Sequence, residues 1–158
     1  MPITLSSPAF ADGGDVPVRH TCDGDDLSPS LTWSDVPEGT RSLALIVDDP
    51  DAPRGTFTHW VLYDIPPDTK ELAESVPAGT IGIAGRNSFG RSGYGGPCPP
   101  PEHQAHRYRF TLCALDIPSL GLAANATRED VDAKMQNHIL AEGRIVGKYR
   151  RQVPAGTR

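Results

Sequence analysis

Ser42-Leu-Ala-Leu-Ile-Val47, followed at once by Asp48-Asp49-Pro50-Asp51-Ala52-Pro53, decides how this chain is read. From Leu43 to Val47 no polar residue interrupts the run, and it is too short for a helix of ordinary length, so it predicts a central β-strand covered on both faces. The two prolines then forbid helix and hold three carboxylates at the strand end.

Working outward, Phe57 to Ile65 alternates. Phe57, His59, Val61, Tyr63 and Ile65 are expected on one face, with Thr58, Trp60, Leu62 and Asp64 on the other. Arg107 to Leu115 alternates likewise, placing Tyr108, Phe110, Leu112 and Ala114 together, with His106 one step before the strand and pointing the same way as Tyr108. Gly79 to Gln104 is too rich in glycine and proline for regular structure, and a loop that long inside a compact domain usually serves function. One helix is expected from Thr127, where Asp130 completes a capping-box-like start; Val131, Met135 and Ile139 recur at i+4, and Gly143 suits its end. Arg144 to Tyr149 reads as a last strand. Together these segments predict a mainly β, mostly antiparallel fold with one late helix and long Gly/Pro-rich loops, in a single domain over 1–158 whose last residues, about 153–158, are frayed.

The length of 158 residues suits one domain, large enough to fold without disulfides or metals. Sixteen Gly and 16 Pro without a period imply many turns rather than collagen or a linker. Fifteen Lys and Arg against 20 Asp and Glu give a net charge of −5, which repels polyphosphates and argues against nucleic acid as a partner. The N-terminal stretch lacks the basic start and apolar core of a secretory signal, and no segment reaches the ~20 apolar residues of a membrane span, so the expectation is a cytoplasmic protein without integral membrane contact. Three cysteines leave one unpaired, and reduced thiols are expected, Cys113 as a core residue; a Cys22–Cys98 disulfide is the alternative in an oxidising compartment.

Three acids within four positions repel one another, and an Asx turn with solvated carboxylates is the plain reading. The functional reading turns one carboxylate inward to meet a histidine, for which His59 offers itself within its strand, with His106 at the start of another strand as a second. Two histidines and a carboxylate suit a zinc or iron site. They equally suit an anion site, in which imidazolium donates hydrogen bonds and the acid favours the protonated ring. Residue types leave both open. The Gly93-Tyr94-Gly95-Gly96 turn, with Arg86 and Arg91 near it, adds a candidate backbone anion nest. It matches neither the phosphate loop nor the dinucleotide fingerprint, and no cofactor is expected. His103 reads as a solvated loop residue and His138 as a late-helix residue. No nucleophile motif is visible, which argues against an enzyme; an Asp/His acid-base or metal-assisted hydrolase is the alternative.

Asp49-Pro-Asp-Ala-Pro53, Thr58-His59-Trp60, Gly93-Tyr-Gly-Gly-Pro-Cys-Pro-Pro100 and His106-Arg-Tyr-Arg-Phe110, in this order, resemble the phosphatidylethanolamine-binding proteins, above all their bacterial and archaeal, Raf kinase inhibitor-like branch. The resemblance implies a large antiparallel sheet packed on a smaller one and a shallow pocket at strand ends for phosphate- or carboxylate-bearing ligands such as a phosphorylethanolamine head group. It carries Asp49, Asp51, His59, His106 and Tyr108 over as pocket residues, Gly96 and Cys98 as mouth residues, and Pro99 and Pro100 as a rigid rim. It further suggests a cis peptide before Pro53, a homodimer, and a regulatory, kinase-inhibitor-like role with an unidentified protein target.

Overall fold

A computed structural model describes residues 2–77 and 79–151. The expected frayed tail lies outside the described residues. Two antiparallel sheets form the frame. The smaller has the order β1(Thr4–Ser6)-β2(Leu31–Ser34)-β5(Glu71–Leu72), and the larger the order β6(Ile83–Ala84)-β4(Phe57–Ile65)-β3(Ser42–Asp49)-β7(His106–Leu115)-β8(Ile139–Tyr149). β3 is central and buried at all positions, as its apolar run requires. Leu43, Leu45 and Val47 face the smaller sheet with Trp60, Leu62, Phe110 and Leu112, against Leu5, Leu31, Trp33 and Leu72. Ala44 and Ile46 face the other way, with Val61, Tyr63 and Cys113, beneath Val131 and Met135 of the helix α1(Arg128–Met135).

The edge of β8 is closed by the N-terminal segment. Val16 N–H donates to Lys148 O, Gly13 N–H to Val146 O and Ile3 N–H to Glu142 O, so backbone groups that an edge strand would expose are paired.

Three expectations are corrected. Thr127 caps α1 by accepting from Asp130 N–H, but the helix ends at Met135 rather than running on through Ile139 to Gly143. Asn137 takes a left-handed conformation (φ 70°), and β8 pairs with β7 from Ile139 to Tyr149; a ten-rung ladder outweighs two more helical turns. Ile83–Ala84 forms a short strand within the loop expected to be irregular, pairing with Leu62 and Tyr63. The peptide before Pro53 is trans, the isomer that X-Pro bonds favour by roughly 0.5–1 kcal/mol.

The simple alternation of β4 also fails, and this positions the site. Val47 pairs with Trp60 but Asp48 with Thr58, so His59 is an extra residue in a β-bulge. Strict alternation would aim His59 with Val61 toward α1. The bulge turns it to the end of the inter-sheet face, where its ring meets Tyr108 edge-on at 5.2 Å. A second irregularity, where Asp64 adopts φ 55°, moves Ile65 to the inter-sheet core, away from Tyr63.

Candidate functional site

The three carboxylates at the end of β3, Asp48 and Asp49 within it and Asp51 just after it, avoid mutual repulsion because each has its own partner. Asp48, on the α1 side, accepts from Arg109 Nε (2.7 Å) and Arg128 Nη1 (3.1 Å). Asp51 accepts from Arg107 at its backbone N–H and Nε (both 2.9 Å) and at Nη2 (2.8 Å), and these hydrogen bonds hold its carboxyl down to about 2. Asp49 turns inward. Its Oδ1 accepts Asp51 N–H (2.8 Å), and its Oδ2 accepts His106 Nδ1–H at 2.6 Å, with both side chains buried.

A cavity of about 220 Å³ opens at these strand ends, lined by Asp49, His59, His106 and Tyr108 and walled by apolar groups, among them Phe57, Phe89, Pro99 and Pro100. It is smaller than the ~300–1,000 Å³ of drug-sized sites, so it fits a small head group or ion. His59 Nδ1–H donates to Gly95 O (2.7 Å), which fixes the tautomer and leaves Nε2 as the ring's remaining hydrogen-bonding atom. Burial pushes the His59 pKa below its ordinary 6.5, so this Nε2 is an unprotonated acceptor at neutral pH. The Tyr108 hydroxyl is buried and, among the described residues, has no hydrogen-bond partner; burial, followed by the Asp49 charge, pushes its pKa up and keeps it a donor.

The structure thus brings Asp49, His59, Cys98, Pro100, His106 and Tyr108 to one cavity. Asp51 and Gly96 lie outside its lining. Asp51 is on the outer surface with Arg107, and Gly96 is packed behind the loop, where its N–H donates to Asp26 Oδ1 (2.8 Å). The expected glycine nest is not formed, because Gly93 N–H donates to Gly85 O, Gly95 N–H to His59 O and Gly96 N–H to Asp26. Neither Arg86 nor Arg91 lines the cavity; Arg91 stands over the Phe89 ring at 5.6 Å. The expectation of reduced thiols is overturned as well. Cys22 and Cys98 form a disulfide, both on loops brought together by Cys22 N–H donating to Pro97 O, while Cys113 is a buried free thiol.

Sequence reasoning missed the aromatic wall of Phe57 and Phe89, whose rings meet edge-on at 4.7 Å, and set His103 aside. His103 Nδ1 lies 3.1 Å from His106 Nε2. The signal available was spacing: three residues after Pro100, a turn in which His103 N–H donates to Pro100 O returns the chain toward β7.

Two packed antiparallel sheets with a small polar-floored cavity at the ends of three strands define a β-sandwich-like domain. Residues 6–150 match the sequence profile of the family described as phosphatidylethanolamine-binding protein. The chain is 55% identical over 148 residues to a UPF0098 protein of Aquifex aeolicus, covering 92% of this chain and 86% of that one, and 48% identical over 153 residues to a UPF0098 protein of Methanothermobacter thermautotrophicus, covering 94% and 99%. A candidate lipoprotein, LppC, of Mycobacterium tuberculosis is 42% identical over 149 residues, covering 94% of this chain and 72% of that one. Among solved structures, Escherichia coli YbcL, described as a member of the mammalian PEBP family, superposes with a TM-score of 0.89 at 32% identity, covering 96% of this chain and 100% of that one. The PEBP homologue CT736 of Chlamydia trachomatis gives a TM-score of 0.88 at 37% identity, covering 96% and 99%. The chain belongs to the phosphatidylethanolamine-binding protein family.

Proposed function

We propose that the cavity binds a small phosphate- or carboxylate-bearing ligand together with a proton. The observation that carries this reading is the Tyr108 hydroxyl, a buried donor without a partner among the described residues, beside an imidazole whose Nε2 is the atom left for a ligand. Buried polar groups are rarely left unpaired unless something else completes them. Among the described residues no Lys or Arg lines the cavity and the Asp49 carboxylate does, so a fully ionised ligand is disfavoured there. An anion that brings its own proton avoids this. The proton goes to His59 Nε2, the ring becomes a donor, and the ligand oxygens accept from His59 and from Tyr108.

This function is binding rather than turnover, and a regulatory, kinase-inhibitor-like role follows from it as a further part of the proposal. A compartment is part of it too. Both cysteines of the Cys22–Cys98 bridge are exposed, and a disulfide favours an oxidising compartment over the cytoplasm expected from sequence. Among the described residues no helix is long and apolar enough to cross a membrane.

The test is calorimetric titration of chelator-treated protein with inorganic phosphate and phosphorylethanolamine at pH 6 and pH 8. Saturable binding, tighter at pH 6 and lost in His59→Ala, supports the proposal. Absence of binding at both pH values, or binding only after a divalent metal is restored, defeats it.

A further inference from the structure

We propose that His103 is a working part of this site: it shares one proton with His106 and carries protons between solvent and the Asp49–His106 pair, so that the ring beside the cavity changes charge without the cavity opening. The purpose of this relay rests on the anion-binding reading; its geometry does not.

Both nitrogens of His106 are occupied by protein. Nδ1–H ends on Asp49 Oδ2 at 2.6 Å, and Nε2 faces His103 Nδ1 at 3.1 Å. Two neutral imidazole nitrogens at that separation hold one proton between them. His106 borders two hollows. On one side is the ligand cavity, and on the other a shallow surface depression lined by Asp51, His103, Arg107 and Lys148. His103 is half-buried and Glu102 and Gln104 beside it are exposed, so the chain Asp49–His106–His103 runs from the floor of the cavity to water.

The proton count closes. A proton from water adds to His103 Nε2; His103 then gives its Nδ1 proton to His106 Nε2. His106 now carries N–H on both nitrogens and is an imidazolium against the Asp49 carboxylate. His103 is left neutral, with its proton on Nε2 and its Nδ1 accepting from His106. The reverse sequence returns the proton from His106 to water. The charged or titratable groups around the relay are Asp49 of β3, Asp51 after it, Arg107 and Tyr108 of β7, His59 of β4 and Lys148 of β8. Asp51 and Arg107 neutralise each other in a two-point ion pair, which leaves Asp49 as the charge in direct contact.

Two measurements test this. In the ligand-free protein, NMR titration of the ring nitrogens is expected to show His103 and His106 reporting the same two apparent midpoints, as one coupled pair. In His103→Asn, His106 should follow a single midpoint. Independent single curves for the two rings in the wild type overturn the relay. In the second measurement, made without ligand, the rate at which the His106 ring nitrogen proton exchanges with water, read by NMR, should fall at least about tenfold in His103→Asn, because a relay changes the rate of proton movement and not the number of protons bound at equilibrium. Asn keeps an amide donor near the Nδ1 position but passes no proton. An Asn variant with the wild-type exchange rate would reduce His103 to a hydrogen-bond donor and overturn the proposal. If the wild type binds no phosphate at all, the anion reading fails, and the NMR titration still decides the relay.

Discussion

Asp49 and His106, 57 residues apart in sequence, meet as a buried hydrogen-bonded pair, with His106 Nδ1–H donating to Asp49 Oδ2 across 2.6 Å. The contact ties the end of β3 to the start of β7 at the floor of the cavity. Removing one partner of such a pair strands the other, so Asp49→Ala is expected to lower stability by about 3 kcal/mol in urea unfolding. A loss under about 1 kcal/mol would show that the contact contributes little to the folded state.

Tyr108 separates binding from stability. Its hydroxyl is buried without a partner among the described residues, so removing it relieves a desolvation penalty of about 1 kcal/mol or more. Tyr108→Phe should therefore unfold at equal or higher urea than the wild type while binding phosphate about tenfold more weakly, a difference of about 1.4 kcal/mol. A variant both less stable and unchanged in affinity would mean that the hydroxyl serves the fold.

His59 gives stability a pH dependence of known sign. Burial holds its imidazole below 6.5 in the folded chain, so below pH 6.5 the unfolded chain binds a proton that the folded chain refuses. The contribution is complete above pH 6.5, falls as pH drops toward the folded-state value, and is flat below it. Asp51, held to about 2 from 3.8, acts only at lower pH. Between pH 8 and pH 5.5 the wild type should lose more stability than His59→Gln, and saturating phosphate should oppose the loss. Parallel profiles for the two proteins would remove His59 as the source.

Much of this was legible in the residues. The unbroken apolar run of β3 required cover on both faces, and the two clusters supply it. The alternation of Tyr108, Phe110, Leu112 and Ala114 placed one face of β7 against the smaller sheet. What could not be read was the bulge at His59. A bulge depends on which residues pair across the sheet, a long-range property, and shifting the register by one moves a side chain to the other face. The same limit applies to loop amides. Gly93, Gly95 and Gly96 look free in sequence, yet their N–H groups are consumed by Gly85, His59 and Asp26, residues no local pattern connects to them.

Gly96 offers a check on that placement. A Cβ there would lie 2.2 Å from His20 O and 2.3 Å from Asp26 Oδ1, the atom that already accepts the Gly96 N–H. Gly96→Ala should cost roughly 1–3 kcal/mol of stability by overpacking. Because Gly96 lies outside the cavity lining, phosphate affinity of the folded variant should match the wild type. A large affinity change with unchanged stability would return Gly96 to the mouth of the site.

The Cys22–Cys98 bridge closes a span of 76 residues that contains β2 through β6, and one of its cysteines lines the cavity. A cross-link over so long a span restricts the unfolded chain strongly, and typical disulfides of this kind stabilise by about 2–4 kcal/mol. Cys22→Ser, which leaves the cavity lining intact, should lower the urea midpoint by that amount. Reductant should lower the midpoint of the wild type to a similar value and leave that of the variant unchanged. Thiol titration of the unfolded, unreduced wild type should count one free thiol, that of Cys113. Three free thiols in protein purified under non-reducing conditions would mean that the bridge does not form, and the oxidising compartment would lose its support.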